Sequence, residues 1–104
     1  MKPTLVVKAQ ADADLDELGE FIALDSPQAA LRFYEAAQTA YDTLVRFPKI
    51  GARCEFRSPQ AADLRMWPIP GFENRIIFYR SNKNSIEIVR ILHGARDLQS
   101  IFEK

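Results

Sequence analysis

Five arginines in the second half of the chain, Arg65, Arg75, Arg80, Arg90 and Arg96, and its single histidine, His93, are the side chains whose types suit work on a phosphate. Cleaving RNA without a metal requires a 2′-hydroxyl to be oriented, protons to be moved and phosphate charge to be stabilised. That calls for cationic clamps beside an acid–base group, and an imidazole with an ordinary pKa of about 6.5 suits the proton transfers. Each of these residues also has a plainer use. Arginines commonly serve as surface or structural ion pairs, and His93, beside Gly94 at the end of an apolar run, is expected to bond the turn rather than to catalyse. Strand alternation places His93 on the face of Glu87, Val89 and Ile91, and Arg90 on the face of Ile86, Ile88 and Leu92. An arginine on so apolar a face needs a carboxylate partner, and Glu87 and Asp97 both lie near it in sequence.

Other chemistries find no footing. The chain carries no Gly-rich phosphate loop, paired-histidine metal motif or nucleophile elbow. Cys54 is the only cysteine, so no intrachain disulfide can form, and with one histidine an ordinary zinc site lacks ligands. No metal, cofactor or redox role is expected.

At 104 residues the chain is read as one domain, 1–104, large enough to bury a single core. Hydrophobic residues at 47% and charged residues at 27% suit a chain that folds in water. The apolar run Leu5 to Val7 is too short for a signal segment or a membrane span, so the expected location is cytoplasmic and no membrane partner is expected. Net charge is zero but uneven. Residues 1–48 hold four Lys/Arg against eight Asp/Glu, and residues 49–104 hold ten against six. The basic second half fits an acidic partner, protein or nucleic acid. The acidic first half is explained by capping and solvation of a helix more simply than by mimicry of nucleic acid.

The elements that must position these residues follow from periodicity. Thr4 to Lys8 reads as a short strand, and Ala11 to Leu24, with Leu15, Leu18 and Ile22 at helical spacing, as a helix with Asp12 and Asp14 capping its start. Ser26 as N-cap and Pro27 at the first helical position open a second helix. Its apolar residues Ala30, Phe33, Tyr34, Ala37, Tyr41 and Leu44 run on until Phe47, Pro48 and Gly51 end it. Ile50 to Ala62 reads as a loop. Leu64 to Ile69 is a strand that Pro68 and Pro70 confine to an edge or an end. Arg75 to Arg80 and Ile86 to Leu92 form a hairpin about the polar turn 81–85, and Leu98, Ile101 and Phe102 give a short last helix its apolar face. The order β-α-α-β-β-β-α implies an α+β fold, a helical hairpin packed on an antiparallel sheet. Met66, Trp67, Pro68 and Phe72 set large apolar groups beside an edge strand and a turn, serving either a partner-binding patch or the core.

In this order the residues resemble a known group. Asp12, Leu15, Leu18 and Ile22, followed by Ser26-Pro27-Gln28-Ala29-Ala30 and Arg32-Phe33, are similar to the helical hairpin of RelE/ParE toxins. Leu44 to Gly51 resembles their helix-ending segment. The most specific similarity lies in Leu64-Arg65, Gly71-Phe72 with Ile76 to Arg80, and the run Ile88-Val89-Arg90-Ile91-Leu92-His93-Gly94-Ala95-Arg96-Asp97, and that last run strongly resembles the C-terminus of the ParE branch. The similarity covers about positions 4 to 102. It implies the toxin of a type II toxin–antitoxin pair, non-enzymatic, that poisons DNA gyrase and is neutralised by a cognate ParD-like antitoxin. Residues that would meet a target or partner are Arg65, Trp67, Phe72, Arg80, Arg90, Arg96 and Phe102. The alternatives are a RelE-type endoribonuclease acting on messenger RNA at the ribosome, or a homologue that has lost toxicity. For a ribonuclease, Arg75 and Arg96 fall where the family places phosphate-stabilising arginines, with His93 as acid or base. Phe102 stands where that pattern has a functional tyrosine, and Leu64, Arg65 and Met66 stand where it has lysines.

Overall fold

Ser26 and Pro27 start the second helix as the sequence indicates. In the structure, a computed structural model that describes residues 2–94, 96 and 98–102, the Ser26 hydroxyl accepts from the Ala29 N–H at 3.1 Å and Pro27 occupies the first turn. The elements are β1 (Thr4–Val7), α1 (Ala9–Asp25), α2 (Pro27–Arg46), β2 (Ala52–Arg53), β3 (Arg65–Ile69), β4 (Phe72–Ser81), β5 (Ser85–His93) and α3 (Leu98–Phe102). Helix α2 buries Ala30, Phe33, Ala37, Ala40, Tyr41 and Leu44, a stripe at spacings of three and four that packs on the sheet. Helix α1 joins it through Gly19, where a Cβ would collide with the Tyr34 hydroxyl. Hydrogen at that position leaves room for the Tyr34 ring to lie against α1.

The five strands lie in the order β1-β5-β4-β3-β2. From β2 to β5 the pairing is antiparallel, as expected, but β1 pairs with β5 in parallel, from Thr4 opposite Ser85 to Val7 opposite Ile88. The sheet is therefore mixed. The chain between them, the helical hairpin followed by β2 to β4, is ample for the crossover that a parallel neighbour requires. The segment read as a loop also contributes the two-residue strand β2, which covers β3 only at Arg65 and Met66. Pro68 lies past that cover, where its missing N–H interrupts no ladder.

The main core lies between helices and sheet, built from Leu15, Phe33, Leu44, Ile69, Ile77, Tyr79, Ile86, Ile88 and Ile91 among others. On the opposite face Phe102 of α3 stacks on Phe78 and Phe56, with ring centroids 4.9 and 4.8 Å away. Within α2 the Tyr41 hydroxyl is buried without a hydrogen-bond partner, and burial pushes its pKa up to about 12.

One irregularity redirects the site residues. Tyr79 sits opposite Ile88 but Phe78 sits opposite Arg90, so Val89 is an extra residue in β5. Such a bulge exchanges the faces of everything beyond it. His93 therefore shares its face with Ile91, Ile88 and Ile86, not with Glu87 and Val89 as uninterrupted alternation would have it. Arg90 shares its face with Glu87 and Leu92, away from Ile86 and Ile88.

Candidate functional site

Strand β5 runs past the end of β1, because the chain leaves β1 at Lys8, whose N–H donates to the Ile88 carbonyl at 3.0 Å, and turns into α1. The edge of β5 beyond Ile88 then has no strand beside it, and α1 covers it instead. Asp14, 5% exposed, accepts from the Ile91 N–H at 3.0 Å and from Arg90 Nε and Nη2 at 2.7 and 3.1 Å. Asp14 is thus not a helix cap but a carboxylate on Arg90; Glu87 bonds Arg80 instead, and Asp97 lies outside the described residues. The signal was present in the sequence. Ala11, Asp14, Leu15 and Leu18 fall on one helical face, which marks Asp14 as an acid pointed into the fold.

The three residues weighed for RNA cleavage gather at one end of the hairpin. Arg75 and His93 are the last cross-strand pair of β4 and β5, the Gly94 N–H donates to the Asn74 carbonyl at 2.7 Å, and the Arg96 N–H donates to the His93 carbonyl at 3.1 Å. Arg75 Nε is buried without a hydrogen-bond partner, and Arg96 is exposed. A cleft of about 270 Å³ opens there between Leu18 and Phe21 of α1 and Ile91, His93 and Arg96.

The remaining arginines are occupied in holding the molecule together. Arg80 donates to Glu87 at 2.9 Å, to Asp63 at 3.2 Å and to the Gln60 carbonyl, tying the 60–63 segment to the sheet. Arg65 donates to the carbonyls of Gly51 and Lys49 at 2.8 and 3.3 Å. Tyr79 acts on the same segment. Its hydroxyl donates to the Pro48 carbonyl and accepts from the Gly51 N–H, both at 2.9 Å. A Cβ on Gly51 would lie 2.7 Å from the Met66 carbonyl and from the Tyr79 ring, so glycine is required for the close approach.

Among the apolar candidates, Trp67 and Phe72 pack against the main core, Phe72 edge-on to Phe33 at 5.3 Å. Phe102 is half-buried in its aromatic trio. Sequence reasoning passed over a second cleft of about 880 Å³ at the far end of the hairpin, lined by Pro3, Arg46, Phe47, Pro48, Lys49, Ile50, Ser81, Asn82 and Lys83. Phe47 and Ile50 are 56% and 44% exposed in it. Among the described residues no three metal-binding side chains come together, and no helix is long and apolar enough to cross a membrane. Burial pushes the Cys54 thiol up, away from the reactive thiolate.

Comparison with known proteins joins these observations. The family profile described as the ParE toxin of the type II toxin-antitoxin system, parDE, matches residues 5–98. A Sinorhizobium fredii protein bearing the name "Putative toxin Y4kP" is 34% identical over 80 residues, spanning 77% of this chain and 76% of that protein. A solved structure, described as the chromosomal ParDE TA system from P. aeruginosa, superposes with a TM-score of 0.70 at 22% identity, over 88% of this chain and 96% of that one. At that identity the superposition establishes the common fold.

Proposed function

Because the chain belongs to the ParE toxin family of type II toxin–antitoxin systems, we propose that it arrests growth in the cytoplasm by binding and poisoning DNA gyrase, and that a cognate ParD-like antitoxin neutralises it. The observation that carries a binding role over a cleaving one is how the functional groups are employed. Arg65, Arg80 and Arg90 bond internal carbonyls and carboxylates, which leaves only Arg75 and Arg96 of the five candidate arginines to grip a phosphate at the His93 end. Among the described residues no tyrosine lines the cleft beside His93 and Arg96, and the Tyr79 hydroxyl is bonded at Pro48 and Gly51. Phe102, where the ribonuclease pattern has a tyrosine, brings no hydroxyl. Purified toxin titrated into a gyrase supercoiling assay, beside a translating-ribosome cleavage assay, tests the reading. Lost supercoiling with accumulated cleaved DNA and intact messenger RNA is expected.

One observation favours the rival. Arg75 faces His93 across the hairpin with Arg96 three residues on, an arrangement that resembles part of a phosphate-handling site. Messenger RNA cuts with normal gyrase activity would make those three the catalytic residues of a ribosome-dependent endoribonuclease.

A further inference from the structure

The cleft at the end of α2 owes nothing to the Asp14–Arg90 contact or to the Arg75–His93 pair. It lies at the opposite end of the β4–β5 hairpin, six residues of strand or roughly 20 Å away. Three cations from different elements line it: Arg46 at the end of α2, Lys49 in the segment that follows, and Lys83 in the hairpin turn. No carboxylate stands among the described lining residues, and Asp42 lies in an adjoining hollow with Lys2 and Arg46. The Arg46 guanidinium lies 5.8 Å from the centre of the Phe47 ring, and Phe47 is 56% exposed.

The wall of the cleft is also held in place. Tyr79 and Arg65 grip the carbonyls of Pro48, Lys49 and Gly51 from the sheet side, and the Ile50 N–H donates to the Phe47 carbonyl at 3.0 Å. An exposed aromatic ring on a segment bonded this firmly is preorganised for contact. We propose that this cleft binds single-stranded nucleic acid, with phosphates on Arg46, Lys49 and Lys83 and a base stacked on Phe47. Cations tracking a backbone beside an aromatic platform are the recurring means of holding single strands. An acidic peptide fits less well: Pro3 and Pro48 in the lining lack an N–H, and Ser81 at the end of β4 is the one strand residue among the described lining, which gives a peptide main chain little to pair with.

The test is fluorescence anisotropy of the purified chain with a labelled short oligothymidylate, at low and at physiological salt. Saturable binding that weakens with salt is expected, since counterions released from the strand drive it. Lys49→Glu with Lys83→Glu should weaken it on the order of tenfold and flatten the salt slope by about 0.7 for each phosphate no longer neutralised. Phe47→Ala should weaken it about fivefold or more at unchanged salt slope, because stacking releases no ions. Lys49→Arg with Lys83→Arg should keep binding, and Arg32→Gln, an exposed charge elsewhere on α2, should not change it. All four substituted positions are exposed, and thermal melts confirm that each variant is folded. Absence of saturable binding at low salt overturns the proposal. So does competition by polyglutamate as effective as that by the strand with Phe47→Ala silent, which would make the cleft an acidic-peptide site.

Discussion

Asp14 in the first helix and Arg90 in the last strand, 76 positions apart, meet through two hydrogen bonds, and the same carboxylate takes the Ile91 N–H. Removing the carboxylate leaves a mostly buried guanidinium and a strand N–H without their partner. Asp14→Ala is expected to destabilise the protein by about 2–4 kcal/mol. In a chain of this size that lowers the melting temperature by roughly 10 °C or more. Asp14→Asn, which keeps an acceptor for the Ile91 N–H, should lose less. Urea unfolding of the two variants checks this, and equal losses would assign the whole effect to charge.

The buried Tyr41 hydroxyl makes stability fall in alkali. Its pKa is raised to about 12 in the fold, against an ordinary value of 10.0. Above pH 10 the unfolded chain therefore loses a proton that the folded one keeps, so stability is complete below that pH and declines towards pH 12, by on the order of 1–3 kcal/mol. Burial raises Tyr34 and Tyr79 as well and adds to the decline. Tyr41→Phe removes a hydroxyl that has no partner, so it should be neutral or stabilising near pH 7 and should lessen the alkaline loss. Stability curves at neutral pH and at pH 11 decide it, and a marked loss for Tyr41→Phe at neutral pH would contradict the account.

Gly51 and Tyr79 should respond differently to substitution. Tyr79→Phe removes two hydrogen bonds and is expected to destabilise by about 1–3 kcal/mol. Gly51→Ala drives a methyl into the Met66 carbonyl and the Tyr79 ring, so the segment must move; a cost of roughly 1–3 kcal/mol is expected. Hydrogen exchange of the Gly51 and Ile50 amides would quicken in both. Unchanged exchange would mean that the segment is held by other contacts.

His93→Gln separates the two toxin mechanisms in cells. If the protein acts by binding gyrase, growth arrest after induction without antitoxin should persist in the variant. A ribonuclease using this imidazole should lose about a hundredfold or more of its rate, and cells should then grow. Western blotting of the induced protein guards against a trivial loss of expression.

What could be read from the sequence was what depends on near neighbours. Ser26 and Pro27 marked the start of α2 because capping is decided within four residues, and the polar turn at 81–85 marked the hairpin because two β-rich runs flank it. The parallel β1–β5 pair was not legible, since a short apolar strand carries no sign of its neighbour's direction. Nor was Val89. A bulge adds one residue without altering composition, and from it onward the alternation assigned His93 and Arg90 to the wrong faces. The partner of Arg90 was sought nearby in the chain, whereas tertiary folding brings Asp14 from the other end. The basic cleft escaped because Arg46, Lys49 and Lys83 become a group only when the hairpin turn folds against the end of α2.

The parallel pairing of the first strand with the last has a bearing on how the toxin comes into being. Thr4 finds its place only against Ser85, so β1 waits for nearly the whole chain to be synthesised. The nascent helical hairpin meanwhile exposes the apolar stripe that the sheet will cover. Such long-range closure is slow compared with the collapse of a helical bundle, on the order of milliseconds to seconds. A chain terminated before Ser85 should show no cooperative unfolding transition. A product ended before Ser85 is expected to lack the closed sheet, so whatever activity depends on the fold arises only once β5 has been made.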